Sequence, residues 1–259
     1  MIKIKIRKGI SKRKYTALAT IAFLALLAIW AIASSLGFVK EIFLPNPLKV
    51  LSYFVQAVKD GSLWENTKVS VYRITLGFVY AMALGIPAGI LMGSFKKLEA
   101  LIRPICEFIR YMPVPAFVPL IMVWVGIGES AKITVIFIGT FFQLVLMVAD
   151  DAMSVPDDLI NAGYTLGTGT GQTIFKIIIP AMLPRLMETL RMMIGWAWTY
   201  LVSAELVAAN SGLGYTILKS QRFLKTDAIF AGIVLIGLLG LATDRIFAFI
   251  NKKLFPWTE

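Results

Sequence analysis

Two sets of residues have the type and spacing to do chemistry: a glycine-rich run, "GYTLGTGTGQTIFKIIIP" from Gly163 to Pro180, and a few ionisable residues set in apolar stretches. A phosphate loop of the Walker type needs a glycine five residues before the one that precedes Lys-Ser/Thr, so that backbone N–H groups wrap the phosphates and the lysine neutralises them. Counted from Gly171, the first position is Leu166 and the lysine position is Gln172. Gly167, Gly169 and Gly171 follow a GxGxG spacing without a surrounding βαβ unit, so the dinucleotide fingerprint fails as well.

The ionisable residues are Glu107, Arg110 and Glu205. Charge inside a membrane is costly and is read first as functional. Arg110 is a candidate for attracting an anion along a pathway; alternatively it pairs with Glu107, three residues earlier on the same helical face. Glu205 meets either a neighbouring span or the pathway. Hydrolytic chemistry lacks its parts. The chain has no histidine and one cysteine, Cys106, and Asp150-Asp151 has no partner motif, so neither a metal site nor an intramembrane enzyme is expected.

The elements that must position these residues are membrane helices. A composition 58% hydrophobic with mean hydropathy +0.78 points to lipid as the main solvent. Crossing a hydrocarbon core of about 30 Å takes roughly 20 apolar helical residues. Stretches free of Asp, Glu, Lys and Arg run from Tyr15 to Val39, Ile74 to Phe95, Tyr111 to Gly128, Ile133 to Ala149 and Ala228 to Thr243, and Met192 to Ala209 is interrupted only by Glu205. Six spans are expected, at about 15–37, 69–94, 104–127, 131–150, 185–209 and 227–250, in one domain covering 15–259 behind a basic tail at 1–14. The tail and first span do not read as a cleaved leader, because the apolar run is long and lacks a clear small-x-small site.

Six spans put both termini on one side. That side receives sixteen Lys and Arg against nine opposite, where Arg73 and Lys132 are counted, so both termini are placed in the cytoplasm. The net charge of +11 then reads as topology and contact with lipid headgroups; nucleic-acid binding is not expected. Outside, Pro45 and Pro47 precede Leu48, Leu51, Val55 and Val58 at helical spacing, which predicts an amphipathic surface helix.

The long inner connection predicts its own structure. Ser154 is a possible cap, Pro156 suits a first turn, and Asp157 and Asp158 favour the positive helix end. Leu159, Ala162, Gly163 and Leu166 form one narrow face, Gly167 can take the left-handed conformation that stops the helix, and a second short helix is expected to break at Pro180. In the third span Pro113, Pro115 and Pro119 predict a kink or local unwinding, which exposes carbonyls best placed along a water-filled path. Gly212, Gly214 and Tyr215 read as a re-entrant or surface turn, an outer gate or a dock.

The order Asn161-Ala162-Gly163, Gly167, Ile177, Ile179-Pro180 resembles the Glu-Ala-Ala…Gly…Ile-x-Leu-Pro motif of binding-protein-dependent ABC importer permeases. Asn161 stands where that family has glutamate. "LPNPLKVL", "RPICEFIRYMPVPAFVPLIMVWVGIGESAKI" and "SAELVAANSGLGYTI" are similar to the nitrate, sulfonate, taurine and bicarbonate branch, over roughly Leu44 to Phe255. The resemblance implies an all-α, type I importer permease fold in the inner membrane, with a coupling helix in segment 155–180 between spans 4 and 5. It also implies a second copy of this chain, two cytoplasmic ATPase subunits that bind the ATP and Mg this chain does not, and an extracytoplasmic solute-binding protein. Asp157, Asp158, Asn161, Ala162, Gly163, Leu166, Gly167, Ile177 and Pro180 are the implied ATPase-coupling residues. The rival from another class, an ion-driven secondary transporter, would more often repeat its broken helices in both halves, and the sixth span has no proline cluster to match the third.

Overall fold

A computed structural model of the chain describes residues 10–37, 39–206 and 209–258. Most of the expected basic tail and the end of the 185–209 span, at Val207 and Ala208, lie outside the described residues. Among the described residues all regular structure is helical. The elements are α1 (Lys12–Ser35), α2 (Pro47–Lys59), α3 (Ser62–Ser94), α4 (Lys96–Arg110), α5 (Val114–Val125), α6 (Glu129–Met153), α7 (Asp157–Thr165), α8 (Thr170–Thr173), α9 (Ile179–Leu206), α10 (Leu213–Arg222) and α11 (Thr226–Leu254), with a π-helical stretch at Ile174–Ile178.

The core is the α3–α6–α9 layer. Gly77, Ala81, Gly85, Gly89 and Gly93 recur every fourth residue along α3 and so share one face. That face lies flush on α6: a Cβ added at Gly89 would sit 2.6 Å from Cβ of Val148, and one at Gly93 2.6 Å from the carbonyl of Ala149. Lipid tails are as apolar as leucine, so this seam is held by close van der Waals packing that only small residues allow. Gly139 on the other side of α6 does the same for α9, receiving the ring of Tyr200.

Among the described residues four helices are long and apolar enough to cross a membrane, α1, α3, α6 and α11, and the bent pair α4–α5, taken as one span, makes a fifth. The expected fifth span falls on α9, which is 28 residues long but carries Arg185, Glu188 and Arg191 in its first half and Glu205 in its last turn. The third span is two helices meeting at 102°. Pro113 has no N–H and disfavours helix at Met112 before it, so α4 ends at Arg110; Pro115 sits in the first turn of α5, where its missing donor costs least. Pro119 is accommodated inside α5.

The expected amphipathic surface helix forms as α2, capped by the Asn46 side chain, which accepts from Leu48 N–H at 2.9 Å. Val50 and Ala57 are buried, whereas Leu48, Leu51, Val55 and Val58 are exposed. Residues 50 and 57 are seven apart and share the inward stripe, leaving the longer apolar row facing outward. The apolar residues of α1 are likewise uncovered within one chain.

Candidate functional site

The candidate residues fall in three places. At one end of the bundle, α7 begins at Asp157 after Pro156, which occupies the cap position in extended conformation. Ser154 instead closes α6, its hydroxyl donating to the Asp151 carbonyl at 2.6 Å. The helix stops as its sequence dictates: Gly167 has φ of +84°, Gly167 N–H donates to Tyr164 O at 2.9 Å and Thr168 N–H to Gly163 O at 3.1 Å. That pair of bonds satisfies the last carbonyls of the helix and requires a residue at ease with positive φ.

The expected apolar face of α7 is divided. Gly163 is buried, and a Cβ there would overlap the Ile177 side chain. Ile160 packs beside it on the core. Leu159, Ala162 and Leu166 face out, Leu166 at 85% exposure, and Asp157, Asp158 and Asn161 are exposed as well. A cleft of about 580 Å³ separates α7 from the α3–α4 corner and is lined by Gly93, Lys96, Asp157, Ile160 and Tyr164. Pro180 does not break the chain before the next span. It lies in the first turn of α9, and the π-helical turn at Ile174–Ile178 ahead of it supplies the altered pairing that a proline ring and its missing N–H demand.

In the second place, Glu205 of α9 contacts the neighbouring helix α3. Its carboxylate accepts from Ser70 Oγ at 2.7 Å, Arg73 Nη1 at 2.7 Å and Gly214 N–H at 2.7 Å. Arg73, counted on sequence among the basic residues of the side opposite the termini, is fully buried within α3. Its fork binds Glu129 through Nε and Nη2, both at 2.6 Å, and Nη1 also reaches the Ser211 carbonyl at 2.8 Å. Lys132 joins Glu129 at 2.8 Å and is itself nearly buried.

This network fixes the start of α10. Gly212, Leu213 and Gly214 donate their N–H groups in turn to Asn66 Oδ1 at 2.7 Å, Ser70 Oγ at 2.9 Å and Glu205 Oε2 at 2.7 Å. The orphan donors of a helix N-terminus thereby find partners on α3 and α9. Gly212, with φ of +113°, presses on the Glu205 carboxylate, so a Cβ there would overlap it. The turn around Gly212 and Gly214 is buried and tied down, not at the surface, while Tyr215 beside it is half-buried. Sequence reading missed Asn66, Ser70, Arg73 and Glu129. Ser70, Arg73, Gly77 and Ala81 share one helical face, a pattern that marks Arg73 as inward.

The third place is the α4–α5 break. Arg110 is exposed there, its guanidinium 4.8 Å from the centre of the Tyr111 ring and hydrogen-bonded to that phenol oxygen at 3.0 Å. The expected alternative, an Arg110–Glu107 pair, does not form; Glu107 lies 3.9 Å from Arg103 one turn back. Pro113 and Arg110 line a cavity of about 250 Å³ with Gln143, Phe142 and Tyr200, whereas Pro115 and Pro119 do not line it.

Against known proteins, residues 85–256 match the family described as the inner membrane component of binding-protein-dependent transport systems. The taurine transport system permease protein of Escherichia coli (strain K12) is 32% identical over 98% of this chain and 94% of its own length. A putative aliphatic sulfonates transport permease protein of Bacillus subtilis (strain 168) is 34% identical over 90% and 84%. A bicarbonate transport system permease protein of Synechocystis sp. (strain ATCC 27184 / PCC 6803 / Kazusa) is 30% identical over 90% and 86%. The fold is similar to that in a solved structure of the MetNI methionine ABC transporter in inward-facing conformations, with TM-score 0.60 and 22% identity over 70% of this chain and 92% of that one. The chain is therefore a multi-pass membrane permease and belongs to the inner membrane components of binding-protein-dependent transport systems.

Proposed function

We propose that this chain, as a homodimer, forms the pathway of an ATP-driven importer of a small oxyanion, with six spans per copy, α9 among them, and both termini in the cytoplasm. Two ATPase subunits, which bind the ATP and Mg, dock on α7; a solute-binding protein delivers the substrate from outside. The observation that carries this reading is the outer face of α7. Leu159, Ala162 and Leu166 are held away from the bundle by a helix whose other face is anchored on Ile177, so apolar surface is presented at the inner end of the molecule. A partner that closes on ATP can push such an element only if it binds the two conformations of the permease with different affinity. Taurine, sulfonates and bicarbonate, named for the relatives, share an anionic oxygen group, which supports the substrate class.

The test is uptake of labelled taurine, an alkanesulfonate and bicarbonate into proteoliposomes holding the permease, its ATPase and its binding protein. Uptake that requires ATP and the binding protein and survives collapse of ion gradients supports the proposal. Uptake driven by an ion gradient alone overturns it.

A further inference from the structure

We propose that the cavity at the α4–α5 break is an anion subsite within the membrane, with the Arg110 guanidinium as its charged donor and Gln143 and Tyr111 as neutral polar neighbours. The inference rests on the importer reading above and names where the anion passes.

Depth is the first consideration. The cavity is lined by Gly139, Phe142 and Gln143 of α6, a span running from Glu129 to Met153. At about 1.5 Å per residue, Gln143 lies roughly 21 Å from the outer end of that helix and about 15 Å from the inner end. The α4–α5 break thus carries a cation to the interior of the bilayer.

Charge is the second. Among the described residues Arg110 makes no ion pair, its near carboxylate Glu107 being turned to Arg103, and it is exposed, with its hydrogen bond and ring contact both made to Tyr111. A guanidinium facing hydrocarbon costs about 3 kcal/mol even by the mildest scales, so a membrane protein keeps one at this depth where water or an anion reaches it. The phenol and ring of Tyr111 occupy part of the fork and leave donors free.

Shape is the third. The cavity of about 250 Å³ falls below the range of roughly 300–1,000 Å³ that suits drug-sized ligands, which favours a small solute. A planar fork of N–H donors matches two oxygens of a sulfonate, nitrate or bicarbonate group, while Phe117, Phe142 and Tyr200 offer apolar walls to a short carbon chain. A single guanidinium without further fixed charges holds an anion weakly, as a site that must also release its cargo requires.

The test uses the full chain in lipid nanodiscs with Cys106→Ser as background and Gln143→Cys as reporter. Its rates with a sulfonatoethyl methanethiosulfonate and with the trimethylammonium analogue give a ratio that reads the local field. The proposal expects the anionic reagent to be favoured, the ratio to fall about tenfold in Arg110→Gln and to be kept in Arg110→Lys. Ethanesulfonate should slow labelling and ethyl methyl sulfone should not. A ratio indifferent to Arg110→Gln, or a reporter thiol that neither reagent reaches, overturns it, the second placing Arg110 against lipid or a protein partner. Steering without ATP-dependent uptake of any anion would keep the subsite and sink the importer reading; anion uptake without steering would do the reverse.

Discussion

Glu205 of α9 accepts a hydrogen bond from Arg73 of α3 at 2.7 Å with both side chains fully buried, and the same carboxylate holds Gly214 at the start of α10. One ion pair therefore ties two core helices to the turn that begins α10.

Removing Arg73 leaves the buried Glu205 carboxylate without its counter-charge, which costs about 3–5 kcal/mol, whereas removing Glu205 leaves Arg73 with the half-exposed Glu129 as its counter-charge. Glu205→Ala and Arg73→Ala are each expected to lower the thermal unfolding midpoint by more than any exposed charge substitution such as Lys49→Ala. A double-mutant cycle should return a coupling energy well above the ~1 kcal/mol of surface pairs. Additive effects of the two substitutions would contradict the geometry.

The glycine seam makes a steric prediction. Gly89→Leu drives a side chain into Val148 and should destabilise the folded chain by about 1–3 kcal/mol or prevent its accumulation in the membrane. Gly237→Leu, where nothing lies within 4 Å of an added Cβ, should leave unfolding unchanged. Equal behaviour of the two would contradict the α3–α6 packing.

Gly167 separates conformation from contact. With φ of +84° and no atom within 4 Å of an added Cβ, it is needed for its backbone and not for space. Asparagine tolerates the left-handed region and valine does not. Gly167→Asn should retain most ATP-dependent uptake, and Gly167→Val should lose most of it while the protein still inserts. The order of the two uptake rates is the measurement.

Topology is tested at Gly171, exposed at the start of α8. A Gly171→Cys variant in a Cys106→Ser background should react with thiol reagents that reach the cytoplasm and resist impermeant reagent added outside intact cells. Labelling from outside would reverse the orientation inferred from the excess of basic residues.

Much of this fold was legible because it rests on local rules. The Asp157 start and Gly167 stop of α7 follow from a proline, two acids and a glycine at fixed offsets, and the α4–α5 break follows from Pro113. The α3 seam is also written in the sequence, as small residues four apart. What could not be read locally was long-range pairing. Arg73 finds Glu129 and Glu205 at separations of 56 and 132 residues, and nothing in the local sequence names those partners. The face of α7 divided for a similar reason: Leu159, Ala162, Gly163 and Leu166 share a side, but only the distant Ile177 decides that Gly163 turns inward.

The claim that α7 is where the ATPase acts is tested most directly by Ala162→Trp, which adds bulk to the exposed face without touching the core. In proteoliposomes holding the binding protein and the ATPase, we predict normal insertion of the variant, loss of ATPase co-purification and loss of ATP-dependent uptake. Co-purification and uptake equal to those of the unaltered protein would contradict the account.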